Sequence, residues 1–455
     1  MLWQAGGVSR AIVVGAGVAG LVAARDLAAA GLDVLVLEGT DRAGGKLRAG
    51  TVAGVRVDVG AEAMLHRRPE GTSLAVDLGL PLTHPTAASS RIWTRGALRP
   101  LPRTLMGAPL DLDQLDATGI LSADGMDRAR QQSVQPLAPE DDASVGTLVA
   151  QRFGDEVVDR LVEPLLGGVY AGQARTISVR SAVPQLVDLL GRPDFTLPVP
   201  PTGAPPVFAG VDGGMWRLPA ALAADLVERP GVEIRYDAPV TAVRRTASGF
   251  VVRTGAGDEV ADLLVLATPA APSARLLDPV APDAATDLAQ IRYASVALVT
   301  LAFRADDPGV AEALEVGASG FLVPPVDGRR VKASTFSFAK WDWVREAGDG
   351  LLVLRTSLGR FGEEATLQVP DDELVRASLA DLAEATGLHA DPVDAVVRRW
   401  GGGLPQYWVG HGARVARIRA EIAAVPGLAV CGAAYDGVGI PATIASAHHA
   451  AATLI

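Results

Sequence analysis

The stretch VVGAGVAG constrains the fold more than any other part of the chain. Gly15, Gly17 and Gly20 lie between a β-branched run, AIVV, and an alanine-rich segment typical of a helix. In such a unit the first glycine permits a tight turn, and the second lets a pyrophosphate approach the backbone. The third lets the helix pack closely on the strand. The pattern predicts a βαβ dinucleotide-binding unit within a parallel sheet.

A carboxylate at the end of the next predicted strand supports this prediction. Glu38 follows DVLVL and stands 23 residues after Gly15. A carboxylate there accepts hydrogen bonds from a ribose and repels a 2′-phosphate, which disfavours NADP. The residues expected to bind this half of the cofactor are Gly15, Ala16, Gly17, Val18, Ala19, Gly20, Glu38 and Gly39.

Length and charge limit the domain count and the partners. A chain of 455 residues can hold two or three domains, and its net charge of -11 argues against nucleic acid and against an anionic membrane as main partners. The lone Cys431 cannot form an internal disulfide, which fits a reducing cytoplasm. We expect a cytoplasmic protein with at most peripheral membrane contact.

Hydrophobic patterns along the chain predict an α/β fold with three parts, two of which are discontinuous in sequence. These parts are a Rossmann-like dinucleotide-binding domain, a mixed β substrate domain and a helical insertion, in which Ser144 is an expected N-cap and the proline-rich segment 195–206 an expected linker. The predicted ranges are 8–65, 205–272 and 420–455 for the first domain, 66–89 and 273–419 for the second, and 90–204 for the insertion.

A second glycine pair follows Glu38 in EGTDRAGGK. It brings backbone near the same dinucleotide, and Arg42 or Lys46 could neutralise the pyrophosphate. The motif resembles the GG-doublet signature of the flavoprotein superfamily that contains amine oxidases and phytoene desaturases, and this resemblance implies FAD. It also implies that Val240 meets adenine through its main chain. Further residues implied as flavin contacts are Gly45, Gly60, Ala61, Glu62 and Ala63.

The C-terminal segment CGAAYDGVGIPATIAS predicts another flavin contact. Val430 and Cys431 end a predicted strand, and Pro441 suits the first turn of a helix. The helix N-terminus would favour an anionic reduced flavin. Val438, Gly439 and Ile440 would supply the approaching backbone.

The stretch EPLLGGVYAG holds three glycines, which a packed helix would disfavour by roughly 1 kcal/mol each. We therefore expect it to let a ligand approach the backbone. With FAGVDGGMWRLP, TFSFAKWDW and RRWGGGLPQYWVGH, it resembles porphyrinogen oxidases of haem biosynthesis over nearly the whole chain. The resemblance implies that Trp400 contacts FAD. It implies a tetrapyrrole cavity beside the flavin, lined by Gly168, Val169, Tyr170, Ala171 and Gly172.

The implied reaction removes six electrons from a porphyrinogen, with O₂ as acceptor and H₂O₂ as product. The alanine- and glycine-rich composition resembles that of the high-GC Gram-positive members of this family. This resemblance implies that the substrate is coproporphyrinogen III. The alternative substrate is protoporphyrinogen IX. Four propionates need local cations. The candidates are Arg67, Arg68, Arg91 and Lys340.

No side chain is required by the pattern to act as an acid or base, and no catalytic residue is assigned. The six histidines have no metal-ligand spacing. A downstream ferrochelatase is a possible partner. The alternatives left open are another flavin amine or carotenoid oxidase, a porphyrin or flavin carrier without activity, and an NAD dehydrogenase. The dehydrogenase leaves the C-terminal glycine-rich segment unexplained.

Overall fold

The structure is a computed structural model that describes residues 9–134, 136–199, 201, 203 and 205–455. Residues 200, 202 and 204 of the predicted linker lie outside the described residues. So does residue 8, where the first predicted domain begins.

A five-stranded parallel sheet combines strands that are far apart in the sequence. Its strand pairs are all parallel, and Arg10–Val14 lies at its centre. The parallel sheet and the α/β class predicted from the sequence are confirmed. In spatial order the strands are Val232–Arg235, Asp33–Leu37, Arg10–Val14, Leu263–Leu266 and Leu428–Val430.

Helices cover both faces of this sheet, because its strands carry apolar side chains on both sides. On one face, Val13 and Val36 belong to a core that includes side chains of Val18–Ala29, Pro69–Asp77, Arg217–Val227 and Ile440–Ala452. On the other face, Ile12 and Leu35 pack with Ala270–Leu277, Pro282–Ala289 and His411–Ala423. Leu74 and Ala75 thus share the core of the parallel sheet, although 66–89 is predicted as substrate domain. The predicted domain boundaries stay predictions.

A mixed seven-stranded sheet forms the second large layer. Its pairs are antiparallel except for the parallel pair of Ala318–Leu322 with Ser89–Thr94. Helices Pro308–Leu314, Ser337–Lys340, Asp342–Gly348 and Asp371–Thr386 belong to the same part of the chain. The order of the strands is Asp394–Pro405, Tyr293–Arg304, Leu351–Leu358, Val331–Thr335, Ala318–Leu322, Ser89–Thr94 and Ala97–Pro100.

A helical region with its own core contains the segment EPLLGGVYAG. Ser144 caps its helix Val145–Phe153 by accepting a hydrogen bond from the N–H of Thr147 at 3.0 Å, as predicted. Although its glycines are disfavoured in a packed helix, Glu163–Tyr170 is an α-helix that continues the π-helical turn Val158–Val162. The remaining helices of this region are Leu112–Thr118, Ala123–Arg130, Asp155–Val157, Val179–Ala182 and Pro184–Leu190.

Smaller elements complete the fold. Short 3₁₀ turns span Pro325–Asp327 and Glu364–Leu367. The small sheets pair Ala49–Val52 with Val55–Asp58; Thr104–Leu105 with Ala108–Pro109; Phe208–Val211 with Met64–Leu65 and Leu82–Thr83; and Gly249–Thr254 with Ala242–Thr246 and Gly257–Ala261. Within the described ranges, every helix is too short or too polar to cross a lipid bilayer.

Arg152 should be critical for the stability of the helical region. Its fully buried guanidinium donates to the carbonyls of Leu190 at 3.0 Å, Arg192 at 2.7 Å and Pro193 at 3.0 Å. Arg152→Leu leaves these acceptors without a donor, so we expect the free energy of unfolding to fall by about 3 kcal/mol.

Urea denaturation followed by circular dichroism measures this change. The matched control is Arg376→Leu, because among the described residues Arg376 pairs only with Asp372, and its side chain is 69% exposed. That variant should change stability by less than about 0.5 kcal/mol. Equal effects of the two substitutions would contradict the prediction.

Candidate active site

A cavity of about 1120 Å³ lies between the carboxyl ends of the parallel strands and the seven-stranded sheet. Pockets for one drug-sized ligand hold roughly 300–1,000 Å³, so this cavity has room for a cofactor and a substrate together. Most residues predicted from the sequence line it. They are Gly15, Gly17, Val18, Ala19, Glu38, Gly39, Gly45, Lys46, Gly60, Ala61, Glu62, Ala63, Gly168, Val169, Val240, Lys340, Trp400, Val438, Gly439 and Ile440.

The first glycine motif has the geometry that a dinucleotide requires. Gly15 has a φ of 103°, which L side chains rarely adopt. A Cβ on Gly17 would meet nothing within 4 Å, so this position faces open space in the cavity. A Cβ on Gly20 would lie 1.8 Å from the carbonyl oxygen of Gly15, so only glycine lets the helix approach the strand. Gly20 and the fully buried Ala16 therefore lie behind the cavity wall.

The Glu38 carboxylate is held at the cavity edge by backbone donors. One oxygen accepts the N–H of Ala16 at 2.8 Å, and the other accepts the N–H of Thr40 at 2.9 Å. Both bonds fix the carboxylate beside the glycine turn. This position fits the predicted contact with a ribose.

The two basic residues proposed for the pyrophosphate differ in position. Lys46 lines the cavity, its Nζ lies 5.9 Å from the ring centre of Tyr293, and burial lowers the pKa of its ammonium to about 8. Arg42 is outside the cavity wall and donates to the carbonyl of Ala43 at 3.1 Å. Burial, then the nearby Arg48, lowers the pKa of Arg42. Of the two, Lys46 is the one at the cavity wall.

The loop from Asp58 to Ala63 is fixed by side chains of the seven-stranded sheet and by close packing on Lys46. A Cβ on Gly60 would lie 1.9 Å from the carbonyl oxygen of Lys46, so the loop can pack there only with glycine. Trp400 donates its indole N–H to the carbonyl of Val59 at 2.9 Å. Arg355 donates to the carbonyl of Gly60 at 2.8 Å.

Asp58 ties the same loop to the start of another helix. Its carboxylate accepts the N–H groups of Met215 at 2.8 Å and Trp216 at 3.0 Å. Burial raises the pKa of Asp58 to about 7, although these two donors oppose the rise. The carboxylate therefore holds the loop without facing the cavity.

Glu62 forms a buried ion-pair cluster at the cavity wall. Its oxygens lie 2.6 Å from Nζ of Lys340 and 2.8 Å from the guanidinium of Arg355. Burial alone would raise the pKa of Glu62, but Arg355 and Lys340 outweigh it and lower that pKa. Lys340, predicted as a candidate cation for a propionate, is thus already paired with a carboxylate.

The C-terminal loop is positioned by Tyr407. Its hydroxyl donates to the carbonyl of Ala433 at 2.6 Å and accepts the N–H of Gly437 at 2.8 Å. Gly439 precedes helix Ile440–Ala452, which has Pro441 in its first turn as predicted. The N-terminus of a 13-residue helix therefore opens on the cavity.

The stretch EPLLGGVYAG only partly meets its predicted role. Gly168 and Val169 line the cavity from the last turn of their helix. Tyr170 and Ala171 are buried away from the cavity wall, and Tyr170 packs 5.5 Å from the ring of Tyr407. A Cβ on Gly172 would lie 2.1 Å from Oε1 of Gln406, so this glycine makes room for a side chain of the protein itself.

The predicted arginine candidates for propionates are also outside the cavity wall. Arg67 is exposed, and Arg68 pairs with Glu70 at 2.7 Å. Arg91 lies on strand Ser89–Thr94 of the seven-stranded sheet, away from the lining. The cavity instead contains Lys332 and Arg355, which the sequence analysis missed. Each is the lone charge in an otherwise uncharged stretch, VKAST or LLVLRTSL, and that pattern could have indicated them.

Comparisons with known proteins agree with this architecture. Residues 18–455 match the family model for flavin containing amine oxidoreductase. The chain is 38% identical over 459 residues to coproporphyrinogen III oxidase of Mycobacterium tuberculosis (strain ATCC 25618 / H37Rv), covering 97% of this chain and 96% of that protein.

Two solved structures extend the comparison. A candidate protoporphyrinogen oxidase from Exiguobacterium sp. 255-15 superposes with a TM-score of 0.86 at 30% identity, over 98% of this chain and 99% of that one. Cyclohexylamine oxidase from Brevibacterium oxydans IH-35A has a TM-score of 0.73 at 19% identity, over 98% of this chain and 99% of that one, and indicates a shared fold.

Two alanine substitutions should separate ligand space from folding. Gly17 has a φ of -69°, so alanine fits its backbone, but the new methyl points into the open space of the cavity. We expect Gly17→Ala to leave the unfolding temperature of the cofactor-free protein unchanged and to weaken FAD binding by at least about 10-fold, or about 1.4 kcal/mol. Gly20→Ala should lower both the unfolding temperature and the affinity for FAD, because its methyl would collide with Gly15. Flavin titration and thermal unfolding measure these effects. Wild-type FAD affinity in Gly17→Ala would refute the assignment.

The Glu62 cluster predicts an acid dependence of stability. A carboxylate with a lowered pKa stabilises the fold above its unfolded pKa of about 4.3 and loses that contribution as the pH falls through its folded pKa. Glu62→Gln leaves Lys340 and Arg355 without their carboxylate partner. We therefore expect the free energy of unfolding at pH 7 to fall by about 3 kcal/mol. On acidification, the variant should lose less of its free energy of unfolding than the wild type. Unfolding of holoenzyme between pH 3 and pH 7 tests this. Parallel pH curves for the variant and the wild type would contradict it.

Proposed function

The chain belongs to the flavin-containing amine oxidoreductase family, and we propose that it oxidises coproporphyrinogen III to coproporphyrin III in haem biosynthesis, with FAD as cofactor and O₂ as electron acceptor. Membership of the family confirms the predicted flavin cofactor. The observation that carries the proposal is the single cavity that joins the dinucleotide motif at Gly17 to the wall formed by Gly168 and the seven-stranded sheet.

The residues present fit FAD. Gly17 leaves open space beside a helix N-terminus, where a pyrophosphate can bind. Glu38 lies beside the same glycine turn and can accept hydrogen bonds from a ribose. We assign Lys46 to the pyrophosphate, Val240 to the adenine, and the loop of Gly60–Ala63 with Trp400 and Val438–Ile440 to the flavin. When bound, FAD supplies the acceptor for two electrons per cycle and passes them to O₂.

The chain's own residues bind, orient and shield the substrate. Val296, Leu298 and Leu322 give the substrate side an apolar wall on the seven-stranded sheet, and Val169 faces the cavity from the helix. Apolar walls suit a tetrapyrrole macrocycle and exclude water from the reacting carbons. Among the residues that the structure describes, none of those lining the cavity is a histidine.

The overall reaction removes six electrons and six protons from the porphyrinogen. Three molecules of O₂ take them up as three molecules of H₂O₂, so three cycles of two electrons complete one porphyrin. We further propose that the protein is cytoplasmic and that a ferrochelatase receives its product.

Purified protein loaded with FAD should oxidise coproporphyrinogen III faster than protoporphyrinogen IX in air. The rise of porphyrin fluorescence above the spontaneous rate measures each reaction, and H₂O₂ should form at three equivalents per porphyrin. The flavin-free protein is the control. A preference for protoporphyrinogen IX would assign the enzyme to the other substrate, and oxidation of neither would refute the proposal.

A further inference from the structure

The chain uses lysine only at its cavity. It contains 41 lysines and arginines together, of which Lys46, Lys332 and Lys340 are the lysines. All three line the cavity. Lysine differs from arginine in that its ammonium can lose its proton when buried, whereas a guanidinium stays charged. A chain that uses arginine everywhere else therefore places three adaptable cations around one ligand space.

Lys332 is the one of the three without a partner. Lys340 is paired with Glu62, and Lys46 lies over the ring of Tyr293. Lys332 lies on strand Val331–Thr335 and is 6% exposed. Within the ranges that the structure describes, its ammonium makes no salt bridge and no hydrogen bond.

The surroundings of Lys332 are short of negative charge. Burial first, and then the nearby Arg360, lowers its pKa to about 7, while the charge of Glu363 opposes this shift. Glu363 lies 3.7 Å from Arg360, and Glu163 also acts on Arg360. Asp381 accepts the backbone N–H of Val331 at 2.8 Å. A ligand carboxylate is therefore the partner that this buried amine lacks.

Lys332 also belongs to the substrate side of the cavity. Its neighbour Ala333 pairs in the sheet with Leu322 on one side and Ser357 on the other. Leu322 in turn lies 3.7 Å from the Cβ position of Gly168, on the helix that lines the cavity. This wall is separate from the glycine turn at Gly17.

We propose that Lys332 binds a propionate of the porphyrinogen and selects substrates that carry a carboxylate on the pyrrole ring directed toward this wall. The proposal rests on the proposed function and names the residue that sets its substrate preference. Coproporphyrinogen III carries a propionate on every ring, so any ring can supply the carboxylate. Protoporphyrinogen IX carries propionates on two adjacent rings only, so its other rings place a vinyl group against the amine.

Steady-state kinetics of Lys332→Met holoenzyme test the proposal. We expect kcat/KM for coproporphyrinogen III to fall by about 10-fold to 100-fold, mainly through KM, because one charge-assisted contact is lost. The value for protoporphyrinogen IX should fall by less than about 3-fold. Arg330→Met is the matched control, since Arg330 is a cation of the same segment outside the cavity. It should behave as wild type with both substrates.

Lys332→Arg supplies a second readout, based on pH. A bound carboxylate favours the ammonium form, so coproporphyrin III should bind wild-type holoenzyme more weakly as the pH rises from 6.5 to 8.5. In Lys332→Arg the charge persists, so this part of the pH dependence should disappear while the preference for four carboxylates remains. Fluorescence titration measures both affinities.

Lysine labelled with ¹³C at Cε allows direct observation, because the chain has three lysines. Lys332→Arg assigns the Lys332 resonance by its absence. The titration midpoint of that resonance should rise when coproporphyrin III is added to wild-type holoenzyme. This measurement remains valid if Lys332→Met loses FAD or fails to fold.

The proposal would be overturned if Lys332→Met lowered kcat/KM equally for both substrates, or if coproporphyrin III left the titration midpoint of the Lys332 resonance unchanged. Neither result would contradict the proposed function. Failure of wild-type holoenzyme to oxidise any porphyrinogen would instead refute the proposed function. The two failures are therefore distinguishable.

Discussion

Arg355 ties the seven-stranded sheet to the loop from Asp58 to Ala63 at the cavity wall. It lies on the third strand of the seven-stranded sheet, and its guanidinium donates to the carbonyl of Gly60 and pairs with the carboxylate of Glu62 in that loop. Its side chain is only 12% exposed, so these contacts replace water as its partners. The position of the loop at the cavity wall depends on this cation together with Trp400 and Lys340.

Charge in the protein is divided between its surface and its cavity. The whole chain carries a net charge of -11, yet the cavity wall holds Lys46, Arg275, Lys332, Lys340 and Arg355 beside the carboxylates of Glu38 and Glu62. Glu38 is held by backbone donors, and Glu62 is held by two cations. Lys46 and Lys332, which Glu62 does not hold, can therefore bind anionic ligands. An acidic protein can therefore bind a polycarboxylate, because the local field in a buried cavity outweighs distant surface charge that solvent screens.

Local sequence predicted the features that depend on backbone geometry. The roles of Gly15 and Gly20, the cap at Ser144 and the placing of Pro441 all follow from steric rules that act within a few residues. Propensity disfavours the glycines of helix Glu163–Tyr170. The helix nevertheless continues through them, because its buried face, including Leu166 and Tyr170, stabilises it within the helical core. Gly172 was misread for a similar reason, since its close neighbour Gln406 is 234 residues away in sequence.

The sequence by itself determined the class of fold, the flavin cofactor and the family, because these are encoded in short motifs whose geometry is local. Only the tertiary structure decided which cations face the ligand. The sequence made three arginines candidates for binding propionates, but Arg67, Arg68 and Arg91 lie away from the cavity. The fourth candidate, Lys340, is paired with Glu62. Lys332 and Arg355 reach the cavity because two neighbouring strands of one sheet direct them there. The partners of a charge are set by packing between distant segments, and no short motif records them.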